Sequence, residues 1–170
     1  MGNKKLLIAM IVLGAFSRLI PHPANFAPIA ALALFGGANF KKGWEYIIPI
    51  AAMLLSDIFL GFHSTMLYVY GSFFLIILIG KLLENKKTAP YIFSASLISS
   101  VLFFLVTNFG VWASTTMYVK NFSGLMNAYA MGIPFFRNTL LGDLFYTFSF
   151  FYGFRYFDLW AKKLHFARSS

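Results

Sequence analysis

Apolar residues along the chain fall into six runs separated by short polar punctuation. The runs cover about residues 5–20, 28–40, 44–60, 65–83, 91–113 and 135–157. Between them stand Pro21-His22-Pro23, Lys41-Lys42-Gly43, Gly61-Phe62-His63 and the stretch from Glu84 to Pro90, while a longer mixed stretch, Ser114 to Pro134, precedes the last run. A helix crossing a hydrocarbon layer roughly 30 Å thick needs about 20 largely apolar residues, and most of the runs approach that length. The pattern predicts an all-α integral membrane protein, a single transmembrane domain over residues 1–170 built as a six-helix bundle. The second run is short. Thirteen residues rise only about 20 Å, so this helix extends back through Asn25, tilts less than its neighbours, or begins below the surface. Pro28 suits a first helical turn, where its missing N–H costs nothing.

Composition agrees with the pattern. Of the 170 residues 59% are hydrophobic and 11% charged, against roughly 45–50% and about 25% in a soluble domain. A chain this short cannot hide such an excess in one soluble core. Cysteine is absent, which removes disulfides, thiolate metal sites and cysteine nucleophiles.

The net charge of +9 would suggest nucleic acid in a soluble protein, but the positions of the charges say otherwise. With the N-terminus inside, the inner side collects Lys4, Lys5, Lys41, Lys42, Lys81, Lys86, Lys87, Arg155, Lys162, Lys163 and Arg168, and the outer side only Arg18, Lys120 and Arg137. That asymmetry is the positive-inside bias. It predicts cytoplasmic termini, a place in the cell membrane, and no nucleic-acid partner. Lys4-Lys5 followed by Leu6 to Phe16 also has the form of a secretory signal. No small-x-small cleavage site follows, so the segment is read as a span.

Ionisable groups at membrane depth are costly and are functional candidates by default. Arg18, Asp57 and Asn108 sit near the outer ends of the first, third and fifth spans, and Asp143 lies deeper in the sixth. His22 and Asn25 occupy the first outer loop, His63 the second, and Arg137 and Asn138 the top of the sixth span. Arg18 and Asp57 match in depth and can pair across helices, as a structural bridge or as holders of a charged ligand group. Thr139, Asp143, Tyr146 and Thr147 follow helical spacing and form one stripe. The stripe faces either the bundle, where Asp143 locks packing through hydroxyls, or an outward pocket of which it is the floor. Arg137 falls on another face. Phe26, Trp112 and Tyr118 lie near this cluster, and Trp112 suits either an interfacial belt or a stack on a flat ring. Ser96, Ser99 and Ser100 make a small polar seam, and Ala27-x-x-x-Ala31 and Ala33-x-x-x-Gly37 allow close helix approach.

No P-loop, H-E-x-x-H or G-x-S-x-G sequence occurs. No enzyme activity and no cofactor or resident metal are therefore expected. An intramembrane enzyme using Asp57 and Asp143 remains as a lesser alternative.

Six helices, cytoplasmic termini and an outer polar cluster in so short a chain resemble the substrate-binding S-components of energy-coupling factor (ECF) vitamin transporters. Pro23-Ala24-Asn25-Phe26-Ala27-Pro28-Ile29-Ala30-Ala31-Leu32-Ala33-Leu34-Phe35-Gly36-Gly37, with Leu55-Ser56-Asp57 and Tyr70-Gly71-Ser72, also resembles the signature of an uncharacterised family of small bacterial membrane proteins. The S-component resemblance implies a binder of a vitamin or cofactor precursor at the outer face, with uptake driven by a coupling subunit and separate ATPases. S-components often carry a small-x-x-x-small motif in the first helix, whereas here such motifs lie in the second. On this reading Arg18, Asp57, Asn108, Arg137 and Asp143 contact a small metabolite, with His22, Asn25 and Trp112 at the mouth. The alternative is a structural or assembly protein whose charges fix helix packing.

Overall fold

The computed structural model describes the backbone of residues 4–168 except 22 and 24, and the side chains of residues 8–156, 159 and 160 apart from those two. Among the described residues there are six helices and no strand: α1 (Lys4–Leu19), α2 (Ile29–Asn39), α3 (Trp44–Leu60), α4 (Met66–Leu82), α5 (Ala89–Ser114) and α6 (Phe122–Arg168). The all-α expectation holds, and the first five helices begin and end within a residue or two of the apolar runs. By length and composition one of them, α5, is long and apolar enough to cross a membrane, and only 28% of its apolar stretch is buried within the protein.

The sixth helix corrects the sequence reading. It starts at Phe122 rather than near Phe135 and runs for 47 residues, about 70 Å at the helical rise. Proline at 134 and the mixed composition before it suggested a break. Instead Asn121 caps the start: its side-chain oxygen accepts from the Gly124 N–H at 2.8 Å and its carbonyl from the Leu125 N–H at 3.1 Å, satisfying donors a helix start leaves open. The first turns then pack on α5, where the Tyr129 hydroxyl donates to the Leu105 carbonyl at 3.2 Å and its ring meets Phe104. Pro134 removes one intrahelical hydrogen bond, and the helix continues through it.

α2 is the centre of the molecule. Every residue from Ile29 to Ala38 is buried, as expected of a helix that is apolar all round. It packs on α3, α4, α5 and α6, while α1 lies against α3. Gly37 and Gly80 bring α2 and α4 backbone to backbone: a Cβ at Gly37 would stand 3.1 Å from the Gly80 Cα. Nearer the same end of α2, Phe35 is surrounded by Phe40, Phe150, Phe151 and Phe154 at ring-centroid distances of 5.3–6.0 Å.

Eleven residues give α2 a length of only about 16 Å. Its last residue lies at the lysine-rich end of the bundle, where Lys87 donates to Asn39 Oδ1 at 3.0 Å. Its first lies near the middle of α5 and α6, because the preceding Phe26 packs beside Gly142 and edge-on to Tyr146. Of the options for the short second run, a start below the surface is the one adopted. Residues 25–28 therefore bring non-helical backbone deep into the bundle, with Asn25 in the left-handed region at φ 64°, a conformation Asn tolerates better than most residues.

Around this apolar core the bundle also buries a set of polar groups and carries many large apolar side chains on its outside. Ser56, Asp57, Ser72, Ser96, Ser99, Ser100, Thr139, Asp143 and Thr147 are buried, while Leu13, Phe59, Leu67, Phe74, Ile98, Leu105 and Phe145 lie exposed on the outside. At the lysine-rich end, Lys41 pairs with Glu84 and Lys81 with Glu45 at 3.2 Å. The hydrogen bond and charge of Lys41 hold the Glu84 carboxyl below its ordinary range. Partial burial pushes Lys87 down.

Candidate functional site

Two polar networks cross the bundle. In the first, Arg18 near the end of α1 reaches α3, where Nη1 donates to Asp57 Oδ1 at 2.6 Å and also to the Ser56 hydroxyl. Tyr70 on α4 donates to the other Asp57 oxygen at 2.7 Å. Asp57 is 1% exposed, so this carboxylate is fully desolvated, and both its oxygens are engaged. The matched depths of Arg18 and Asp57 made the pair legible. The third member was not, although Tyr70 stands in Tyr70-Gly71-Ser72, one of the segments that carry the family resemblance.

The second network joins the serine seam of α5 to the polar stripe of α6. Ser100 donates to Asp143 Oδ2 at 2.7 Å, and Ser96 to Thr147 Oγ1 at 3.4 Å. Thr139, Asp143 and Thr147 are buried, and Tyr146 is half-buried against Phe26. Asp143 is thus level with the middle of α5.

Two cavities meet between these networks. The deeper one, about 280 Å³, is lined by Arg18, Asn25, His63, Thr139 and Asp143 among apolar groups including Ile29, Met53, Phe73 and Phe103. The shallower one, about 390 Å³, shares Asn25, Val69, Phe103 and Thr139 and continues past Thr107 and Asn108 to Met117 and Tyr118 at the end away from the lysines. Its walls are mixed, with Phe104, Phe135 and Phe136 beside Val111, Ala128, Met131 and Gly132. Together they reach the size and largely apolar lining of a small-molecule site with a few convergent polar groups. Short α2 creates the deeper space, since a full-length helix would fill it.

Of the residues singled out from the sequence, Arg18, Asn25, Asn108 and Asp143 line these cavities, and Asp57 stands behind Arg18 as its partner. His63 lines the deeper cavity, with Nδ1 2.7 Å from the Thr65 hydroxyl. Two placements are corrected. Trp112 lines neither cavity: its indole N–H donates to the Val119 carbonyl at 3.0 Å and its ring lies on Phe109. Lys120 closes the same corner, donating to the Trp112 carbonyl at the C-terminus of α5, where a cation suits the helix dipole. Arg137 is exposed and lines neither cavity, because α6 starts far above it and turns that face outward. His22 lies outside the described residues. Of the three aromatics grouped as a ring-stacking set, only Tyr118 lines a cavity. Phe103, shared by both compartments, and Thr107 were not anticipated, since an apolar helix face gives no sign of which phenylalanine meets a void. Among the described residues no three His, Asp or Glu side chains converge as a metal site.

No curated protein and no solved structure matches the chain. A family profile covers residues 2–165, almost the whole sequence. The chain with this half-length central helix and paired cavity belongs to the family of unknown function DUF6580.

Proposed function

We propose that this protein is an integral membrane protein of the bacterial cell membrane, with six spans and cytoplasmic termini, that binds a small metabolite in the paired cavity from the outer side. The many large apolar side chains exposed on the outside of the bundle support the membrane placement, since apolar patches of this extent mark contact with a membrane or a partner. The lysines gathered at one end support the orientation. One observation carries the binding reading. A short helix that starts at mid-depth leaves a space lined by Asp143, Thr139, Asn25 and Arg18, and broken helices around a central site are a recurrent device of membrane transport.

The S-component reading extends this to uptake of a vitamin or cofactor precursor, driven by an ECF coupling subunit and ATPases carried on separate chains, with no catalysis here. Packing is the competing role for the charges, and the Arg18–Asp57–Tyr70 network favours it for those three residues. The Asp57–Asp143 enzyme reading loses ground because Asp57 is committed on both oxygens. The test is purification from native membranes followed by mass spectrometry of what comes with the protein. A retained small metabolite, with or without ECF subunits, supports binding. A ligand-free protein that neither binds nor takes up solutes sinks it.

A further inference from the structure

Within the deeper cavity the ionisable side chains are Arg18, His63 and Asp143. Arg18 is already neutralised, since Asp57 sits 2.6 Å from its guanidinium. Asp143 has no such partner. It is 3% exposed, takes one hydrogen bond from the Ser100 hydroxyl on Oδ2, and receives none on Oδ1 among the described residues. No Lys or Arg pairs with it among those residues. Among the described residues the shallower cavity adds no charged side chain, only the polar groups of Asn25, Thr107, Asn108, Thr139 and Tyr118 among apolar walls. Among those residues the two compartments therefore hold one carboxyl group without a Lys or Arg partner at the floor, with Phe103, Phe104, Phe135 and Phe136 among the apolar residues above it.

We infer that the ligand of this cavity is a monocation carrying N–H donors, an ammonium or amidinium group on an apolar or aromatic body. The inference rests on the reading of the cavity as a binding site and assigns its ligand class. A buried carboxyl without a counter-charge avoids the cost of ionisation by keeping its proton. A cation placed against Asp143 favours the ionised form and gains a charge-assisted hydrogen bond. Phe73 and Phe103 line the same compartment and suit an apolar body beside the charge. An anionic ligand meets the opposite situation: Arg18 would have to leave Asp57, stranding a fully buried carboxylate. Thr139, shared by both compartments, offers its hydroxyl oxygen to a second N–H. The apolar body then lies along Phe103 toward Phe104 and Phe136.

The experiment uses the full chain in nanodiscs and three probes that share one phenyl body: 2-phenylethylamine, 2-phenylethanol and 3-phenylpropionate. Binding is read by calorimetry and by the rise in unfolding temperature. The amine is expected to bind at least tenfold tighter than either other probe, and Asp143→Asn to abolish that preference. The ranking on the unaltered protein needs no variant, so misfolding of Asp143→Asn leaves the test intact. Equal or tighter binding of the alcohol or the carboxylate overturns the charge assignment and leaves the binding site standing. Binding of none of the three at millimolar concentration overturns both.

Discussion

The Tyr70 hydroxyl donates to the Asp57 oxygen that Arg18 leaves open, at 2.7 Å. One carboxylate thereby ties α1, α3 and α4 together, and the energetic weight of the pair depends on who is removed. Asp57→Asn leaves the Arg18 charge half-buried without its counter-ion, and loss of one partner of such a pair costs about 3–5 kcal/mol. Tyr70→Phe removes one hydrogen bond to a charged group, worth about 1.5–3 kcal/mol. Unfolding by denaturant in detergent micelles is expected to rank Asp57→Asn well below Tyr70→Phe. Equal losses would mean that the tyrosine, rather than the ion pair, holds the three helices.

Gly37 and Gly80 set the distance between α2 and α4. A methyl at either meets backbone of the other helix, at the Ile77 and Leu34 carbonyls, while a methyl at Gly71 meets nothing within 4 Å. Backbone cannot rotate away as a side chain can. Gly37→Ala and Gly80→Ala are expected to lower stability by about 1–3 kcal/mol through overpacking. Gly71→Ala gains a few tenths up to about 1 kcal/mol of helix propensity. Thermal melts of the three variants decide the matter by sign.

Phe35 fills the space between α2 and the lower part of α6, with four phenylalanine rings about it. Phe35→Ala is expected to cost about 3–5 kcal/mol as a buried large-to-small change. Phe59→Ala, at a side chain 76% exposed, serves as the comparison and leaves the melting temperature nearly unchanged. A similar loss at both positions would place the packing weight on the outside of the bundle.

Glu84, in the turn after α4, carries the expected pH response. Lys41 lowers its folded-state pKa below the ordinary 4.5, so the unfolded chain takes up the proton first as pH falls. The contribution is therefore complete above about 4.5 and fades as pH drops through the lower folded value. Melting temperature measured across the acid range is expected to fall less steeply in Glu84→Gln than in the parent. High salt, which screens exposed pairs, reduces the parent's slope toward that of the variant.

Much of this architecture was legible in the residues because each of the first five helices is one apolar run. The serine seam and the Thr139–Asp143–Thr147 stripe were legible as two polar faces at helical spacing, but that they meet each other was not, since hydroxyls such as Ser100 and Thr139 also bond within their own helices. What the pattern could not give is depth. Periodicity reports which face a residue is on, and nothing about where along its neighbours a helix begins. Trp112 enters the sequence reading as a residue at the outer end of the fifth run, and Arg137 as one at the top of a sixth helix expected to start near Phe135. Once Asn121 caps it thirteen residues earlier, Arg137 moves down an outward face. Trp112 becomes a strut for the turn that joins α5 to α6. Tyr70 was missed for a different reason: a single tyrosine in an apolar helix carries no sign of its partner.

The shortness of α2 leaves the bundle with unequal insulation along its length. The deeper cavity reaches Ile29, at the start of α2 and level with the middle of α5 and α6. Beyond it stand the eleven residues of α2, rich in alanine and glycine, ending where Asn39 meets Lys87. The glycine crossing holds it to α4 and the Phe35 rings to α6, while the chain leading into Ile29 is held by Phe26 beside Gly142 and Tyr146. The helix beneath the deeper cavity is thus anchored at both ends, and the cavity has a fixed floor.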